Sequence, residues 1–140
     1  SESRGRNIFV SNCSKCHSPI RPFQEVFAAC NGLEENYTDQ GLGQLTGNPA
    51  DNGVFKSPSL RNIALTAPYM HDGRFKTLRE VINFYSDEVK NHPNLHPQML
   101  HNGDRNLHLT QQEKDDLLAF LHTLTDEGIA SDPRLANPFK

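Results

Sequence analysis

The sequence predicts an all-α fold in which short helices are separated by long ordered loops. Thr77 and Glu80 form the T-x-x-E pattern of a capping box, which marks the start of a helix. Thr110 and Glu113 repeat this pattern. Apolar residues recur at helical spacing after each box, and the 140 residues contain no series of alternating, strand-like segments.

Three helices and one helical turn are expected. The first helix covers residues 3–12, and the second starts at Thr77. The third runs from Thr110 to about Thr125, and the helical turn falls within residues 59–65. The first and last helices are expected to pack against each other. In the second helix, the apolar positions i, i+3, i+4 and i+7 are predicted to share one face: Leu78, Val81, Ile82 and Tyr85.

The segments between the helices are predicted to be loops. Residues 18–57 are rich in Gly, Pro, Asn and Asp, which favours a long ordered loop containing a short hairpin. Residues 87–107 form a second loop, and Pro133 and Pro138 punctuate an extended tail. A loop as long as the first is unusual in a compact domain unless it wraps around something.

The most informative segment is residues 13–17, which read Cys-Ser-Lys-Cys-His. C-x-x-C followed directly by His is the attachment motif of a c-type haem. The thiols of Cys13 and Cys16 can form thioethers with the two vinyl groups of one porphyrin. His17 then lies under the ring, where an imidazole nitrogen can bind the iron. The motif therefore predicts one covalently bound haem c and redox function.

Two other interpretations of the motif are weaker. A disulfide redox pair would be expected next to a βαβ unit, and the sequence around residue 13 does not suggest one. A structural zinc site would need a second pair of ligands at matching spacing. Cys30 is the only other cysteine and is expected to be a free thiol or a small buried apolar residue. His92 and His96 have a suitable spacing, but Pro93 and Pro97 interrupt the segment, and both histidines are expected at the surface.

A bound haem would explain the composition and the long loop. Hydrophobic residues make up only 35% of the chain, and a buried macrocycle would add apolar core for the loops to wrap. The order of N-terminal helix, motif, loops and C-terminal amphipathic helix is that of a cytochrome c fold. The sequence therefore predicts a single cytochrome c-like domain over residues 1–140.

Charge and hydropathy exclude two classes of partner. The net charge of −3 leaves no basic surface for nucleic acid, and no apolar run approaches the length of a membrane span. No signal peptide is visible at Ser1. Because haem is attached to C-x-x-C-H outside the bacterial cytoplasm, we expect a periplasmic protein whose export signal has been removed.

The residues leave the sixth iron ligand open between two candidates. Met70 follows a Pro-Tyr turn well after His17, and its thioether would favour Fe(II) and raise the potential. Tyr85, on the helix that starts at Thr77, would offer a phenolate, which favours Fe(III). A third interpretation is an open or water-bound site, as in a haem protein that binds a gas or peroxide.

Residues 55–78, FKSPSLRNIALTAPYMHDGRFKTL, resemble the signature of the bacterial di-haem cytochrome c peroxidases. Relatives of these peroxidases include the di-haem enzyme that matures methylamine dehydrogenase. The resemblance extends from residues 5–9 to residues 121–125 and is specific to the C-terminal domain of these enzymes. It implies a two-domain parent in which an N-terminal haem reduces peroxide. The C-terminal haem would receive electrons from a donor and pass them on.

The resemblance implies an electron-transfer role for this chain, which carries one C-x-x-C-H motif and no Trp. The parent would be a peroxidase-like oxidoreductase, and this domain alone would only relay electrons. Its partners would be a small cytochrome or copper protein as donor and a second, peroxidatic haem domain. The alternative is a free-standing mono-haem electron carrier without a catalytic partner domain.

The resemblance also favours one of the candidate ligands. In these peroxidases the axial residue lies fourteen positions after the histidine of the P-Y-x-H-D-G loop, and counting from His71 leads to Tyr85. Most similar peroxidases carry Met there, whereas the methylamine-dehydrogenase maturation enzyme carries Tyr. Tyr85 would then bind the iron, and Met70 would belong to the core.

Arg61 and His71 are expected near the haem, and Thr66 and Pro68 are candidates for a calcium site. Arg61 can pair with a haem propionate, since guanidinium suits a carboxylate, although a solvated surface position is the simpler reading. His71 resembles the loop histidine that lies near the C-terminal haem of the family. Thr66 and Pro68 match positions whose backbone carbonyls contribute to an interdomain calcium site in the family.

Overall fold

The computed structural model describes residues 1–17, 26–137 and 139. This part of the chain is mostly helical, with a small two-stranded sheet and long loops. The described residues contain four α-helices: α1 (Glu2–Asn12), α2 (Leu42–Thr46), α3 (Leu78–Asn83) and α4 (Gln111–His122). The other elements are 3₁₀ turns, a π-helical turn and two strands: Pro49–Asp51, Ile63–Leu65, Pro97–Met99, Glu127–Ser131, Pro133–Leu135, the π turn Phe84–Glu88, β1 (Ala28–Ala29) and β2 (Phe55–Lys56). Among the described helices, none has the length and hydropathy needed to cross a bilayer.

The predicted packing of the first helix against the last is confirmed. Gly5 is buried in α1, directly against the backbone of α4, where a Cβ atom would overlap the carbonyl oxygen of Asp116 and lie 2.9 Å from Cβ of Phe120. One turn further along, the rings of Phe9 and Phe120 are in contact, with their centroids 5.1 Å apart. The missing side chain of Gly5 therefore sets how closely the two helices approach.

A bidentate ion pair fixes the same two helices in register. The guanidinium of Arg4 donates to both carboxylate oxygens of Asp116, at 2.6 and 2.9 Å. Asp116 is only 2% exposed and also accepts a hydrogen bond from Gln112 Nε2 at 3.1 Å. The buried carboxylate is thus fully partnered, as its burial requires.

Both predicted capping boxes are present. Thr77 Oγ1 accepts from the backbone N–H of Glu80, and the Glu80 carboxylate accepts from the Thr77 N–H at 2.8 Å. Thr110 and Glu113 make the same reciprocal pair, also at 2.8 Å. These boxes satisfy backbone donors that a helix N-terminus would otherwise leave unpaired.

Two apolar clusters form the core. The first cluster joins α1, α3 and α4 and comprises Phe9, Tyr69, Leu78, Ile82, Leu117, Phe120 and Leu121. The second cluster lies under the loops and comprises Cys30, Leu33, Tyr37, Phe84 and Val89, with Met70 and Tyr85 packed against it.

The prediction that Tyr85 shares a face with Leu78 and Ile82 is wrong. Leu78 and Ile82 lie in the first cluster, whereas Tyr85 packs against the second. The α-helical geometry ends at Asn83, and the wider π turn Phe84–Glu88 shifts the phase of the residues that follow.

Two loop predictions also need correction. The strands β1 and β2 pair antiparallel, Ala28 with Lys56 and Ala29 with Phe55, but a long segment containing α2 separates them, so they are not a short hairpin. The tail is not extended, because residues 127–131 and 133–135 form 3₁₀ turns. Pro138 and the first eight residues of the predicted 18–57 loop lie outside the described residues.

Replacing Gly5 by Ala should destabilise the protein, by about 1–3 kcal/mol, because the added methyl group has no space against α4. An unobstructed Gly→Ala change in a helix has the opposite sign, so the sign of the effect reports the clash. Chemical denaturation measures it. Ser3→Ala, at an exposed position of the same helix, should change the free energy of unfolding little. A Gly5→Ala protein as stable as the wild type would contradict the close approach.

The Arg4–Asp116 pair should make stability depend on pH at acid values. The hydrogen bond and the charge of Arg4 hold the pKa of Asp116 below its ordinary value of 3.8. A carboxyl whose pKa is lowered in the folded state stabilises the fold at pH values above its ordinary pKa. This contribution disappears as the pH falls through the pKa of the folded state. Asp116→Asn should therefore lower the free energy of unfolding at neutral pH, and the gap to wild type should shrink below pH 3.8.

Denaturant titrations of both proteins at several pH values test this dependence. Asp115→Asn is the matched control, because Asp115 lies on the same helix but half of its side chain is exposed. Its loss should cost little at any pH. If the difference in the free energy of unfolding between the Asp116→Asn and wild-type proteins did not change with pH, the result would contradict a stabilising ion pair.

Candidate functional site

The Cys13–His17 motif continues directly from α1. The N–H of Cys13 donates to Phe9 O at 2.8 Å, and the N–H groups of Cys16 and His17 both donate to Cys13 O, at 3.2 and 2.9 Å. The motif is therefore a tight turn anchored on a helix end, and α4 supports that helix along its length.

The loop after β2 orients the imidazole of His17. Its Nδ1 lies 2.8 Å from the carbonyl oxygen of Pro58. A carbonyl only accepts, so Nδ1 carries the proton, and Nε2 has a free lone pair. Burial lowers the pKa of His17, although the hydrogen bond to Pro58 opposes that shift. A neutral imidazole with a fixed tautomer is the form that binds a metal.

The two cysteines of the motif are half-buried. Burial raises the pKa of Cys13 to about 12, and it also raises the pKa of Cys16. Within the described ranges, no group of three or more His, Cys, Asp and Glu side chains is placed to hold a metal ion.

The two candidate distal ligands share one hydrogen-bond donor. Asn31 Nδ2 lies 3.3 Å from Tyr85 Oη and 3.7 Å from Met70 Sδ. Met70 has a positive φ of 74°, an uncommon conformation for a residue other than glycine. The two side chains therefore lie next to each other. The candidate ligand at this position in the fold is either the oxygen of Tyr85 or the sulfur of Met70.

Burial and neighbouring groups change the acidity of Tyr85. Burial raises the pKa of its phenol to about 12, the hydrogen bond from Asn31 acts in the opposite direction, and the thiols of Cys13 and Cys16 add to the rise. The structure thus brings Tyr85 and Met70 together at Asn31, and it holds Cys13, Cys16 and His17 in one turn.

Hydrogen bonds hold the backbone at Tyr85. The carbonyl of Tyr85 accepts from the N–H of Leu107 at 3.2 Å, and the carbonyl of Ser86 accepts from the N–H of His108 at 2.9 Å. Ser86 is fully buried, and its Oγ accepts from the N–H of Leu109 at 3.0 Å. The 107–109 segment therefore fixes the π turn that carries the phenol.

The other predicted residues lie further out. His71 is exposed and stacks on Phe55, with 3.9 Å between ring centroids. Arg61 is exposed, and its backbone N–H bonds Ser59 Oγ. Thr66 and Pro68 are also exposed. Their roles toward a haem or a calcium ion stay predictions.

Sequence reasoning missed two groups of the candidate site, Asn31 and the Pro58 carbonyl, and it missed the burial of His92. Asn31 looked like part of an Asn-Gly turn, and a side chain that donates toward two candidate ligands has no sequence signal. Pro58 acts through its backbone carbonyl, which no residue type reveals. His92, expected at the surface, is 8% exposed, and its Nδ1 lies 3.5 Å from the sulfur of Cys30.

Several known proteins are similar in sequence to this chain over most of its length. The methylamine utilization protein MauG of Paracoccus denitrificans is 33% identical over 89% of the chain and 42% of the relative. The cytochrome-c peroxidase IdrP1 of Denitromonas iodatirespirans is 38% identical over 79% of the chain and 28% of the relative. The cytochrome c551 peroxidase of Nitrosomonas europaea is 31% identical over 90% of the chain and 34% of the relative. No protein-family model matches the chain.

A solved structure shares the fold. A MauG-like protein associated with microbial copper homeostasis superposes with a TM-score of 0.79 at 35% identity, covering 99% of this chain and 51% of that one. The chain thus spans about half of that protein, and less than half of each curated relative named above.

These matches place the chain among the relatives of the haem peroxidases. More particularly, it is a member of the di-haem cytochrome c peroxidase family that includes MauG, and it corresponds to the C-terminal part of those proteins.

Proposed function

We propose that this chain is a cytochrome c-like electron-transfer domain that carries one haem c and belongs to a di-haem peroxidase-like protein. The observation that carries the proposal is the hydrogen bond from His17 Nδ1 to the Pro58 carbonyl, next to two half-buried cysteines in the same turn. It prepares the Nε2 lone pair for iron while the thiols stand in place for thioether links. The bound haem would supply an iron that gains or loses one electron.

The donor set of the chain fits such a group. Cys13 and Cys16 would hold the porphyrin, and His17 would bind the iron on one side. A thioether sulfur carries no proton and cannot ionise. Keeping these two sulfurs away from water would therefore have no free-energy cost once both thioether links have formed. The loops that build the second cluster would cover the apolar faces of the ring.

We propose Tyr85 as the ligand on the other side of the iron. Its phenol oxygen accepts from Asn31, its carbonyl accepts from the N–H of Leu107, and the count from His71 in the family resemblance leads to it. Met70 is the competing ligand, because its sulfur lies next to the same amide. A tyrosinate would favour Fe(III), whereas a thioether would favour Fe(II).

The wider setting follows from the relatives. The chain would be one domain of a larger oxidoreductase and would pass electrons from a small cytochrome or copper protein to a second, peroxidatic haem. Attachment of haem c would take place after export to the periplasm. Thr66 and Pro68 are exposed residues. Their backbone carbonyls would give two of the oxygens that calcium needs, and a partner domain would complete the set.

The haem proposal predicts the mass of the mature chain. When the chain is produced with a c-type maturation system, its mass should exceed that of the polypeptide by one haem. The double variant Cys13→Ala/Cys16→Ala should have the bare mass. Cys30→Ala is the matched control and should keep the haem, because the sulfur of Cys30 is hydrogen-bonded within the second cluster. A colourless wild-type chain of bare mass would refute the proposal.

The ligand proposal predicts opposite results for two variants. Tyr85→Phe should remove the phenolate-to-iron absorption of the oxidised protein and free the sixth position, so that external ligands bind more tightly. Met70→Leu, a change of similar volume, should leave the coordination intact. A sulfur-to-iron charge-transfer band in the oxidised wild type, lost in Met70→Leu, would assign the site to Met70 instead.

A further inference from the structure

Asn31 stands between the second cluster and the two candidate ligands with every polar group of its amide in use. On one side, Nδ2 approaches Tyr85 Oη at 3.3 Å and Met70 Sδ at 3.7 Å. On the other side, Oδ1 accepts from the N–H of Leu33 at 3.2 Å and from the hydroxyl of Tyr37 at 3.3 Å. A side chain held on both sides in this way has one orientation.

The Leu33 N–H determines which end of the amide faces the phenol. A backbone N–H can only donate, so the amide oxygen must face Leu33 and the amide nitrogen must face Tyr85. Tyr37 reinforces this arrangement, because its oxygen accepts from the same Leu33 N–H at 2.8 Å, which leaves its proton for Asn31. Leu33 and Tyr37 are buried, at 3% and 9% exposure, so water cannot easily replace these partners.

The donated N–H distinguishes between oxygen and sulfur. A phenol or phenolate oxygen is a good acceptor, and a hydrogen bond to it is strengthened when it carries negative charge. A thioether sulfur is a weak acceptor. The hydrogen bond from Asn31 would therefore stabilise a metal-bound Tyr85 phenolate more than it would stabilise a metal-bound Met70 thioether.

From these contacts, we propose that Asn31 is a positioning residue that holds Tyr85 as the distal iron ligand and disfavours its replacement by Met70 or by an external ligand. This inference rests on the proposed haem-binding function. Asn31 would act through its hydrogen bond to the phenol oxygen and would not itself be an iron ligand. Leu33 and Tyr37 fix its orientation from behind.

The test measures how readily imidazole, a strong external ligand, displaces the internal one from the oxidised holoprotein. Asn31→Leu removes the donor at nearly constant volume. The affinity for imidazole should rise at least about tenfold, because a hydrogen bond to a charged oxygen contributes that factor or more. Asn31→Asp, which keeps an acceptor for Leu33 and Tyr37, covers the case in which the leucine variant folds poorly and should raise the affinity in the same direction.

Asn94 offers a matched control. Its Nδ2 also anchors a loop, donating to the carbonyls of Pro49 and Asn52 at 2.7 and 3.0 Å, but those carbonyls belong to another loop. Asn94→Leu should leave the imidazole affinity unchanged even if it lowers stability. An equal effect of the Asn31 and Asn94 variants would overturn the proposal, since it would show only general loosening of the fold.

A double variant separates positioning from structural support. In a Tyr85→Phe background, Asn31→Leu should have no further effect on imidazole affinity, because the phenol oxygen through which Asn31 acts is gone. A persistent effect would refute the positioning role.

Three failures of the proposal can be told apart. Absence of covalent haem would overturn the proposed function, and with it the role of Asn31. Bound haem with an unchanged imidazole affinity in Tyr85→Phe would overturn the tyrosine ligand. A raised affinity in Tyr85→Phe without any rise in the Asn31 variants would overturn this inference alone.

Discussion

The contact between Nδ1 of His17 and the carbonyl of Pro58, 2.8 Å long, ties the two halves of the site together. His17 belongs to the turn at the end of α1, whereas Pro58 belongs to the loop after β2, 41 residues later in the chain. The bond determines which imidazole nitrogen remains available, and it fixes the position of the loop relative to the cysteines. Arg4, Gly5 and Phe9 hold α1 closely against α4, so the motif follows a helix that is firmly packed.

Polar side chains in the second cluster perform a similar task on the other side of the site. Cys30, Tyr37 and His92 are buried and bonded to one another, and Tyr37 passes this constraint to Asn31. Such a network is costly to bury unless all its members are paired. Its benefit here is a rigid support for side chains that the loops alone would not hold.

Local signals in the sequence were reliable wherever short-range chemistry decides the structure. Both capping boxes could be predicted from the spacing and type of their residues, and the packing of α1 on α4 could be predicted from the order of the elements along the chain. The π turn at Phe84–Glu88 could not, because its stability comes from backbone hydrogen bonds with residues 107–109, which no periodicity reports. For the same reason, the roles of Asn31 and the Pro58 carbonyl could not be predicted from the sequence. Asn31 contacts a residue that is distant in the chain, and Pro58 contributes a backbone atom rather than a side chain.

The π turn has a consequence for comparing this chain with its relatives. A single π turn is equivalent to one residue inserted into an α-helix. Deleting one residue between Asn83 and Asp87 would restore regular helix and bring a different side chain to the position that Tyr85 occupies. Alignments that place a gap freely in this helix will therefore exchange the identities of neighbouring aromatic residues. The count of fourteen residues from His71 to Tyr85 therefore applies to relatives that share the π turn, and the hydrogen bonds from the 107–109 segment identify those relatives.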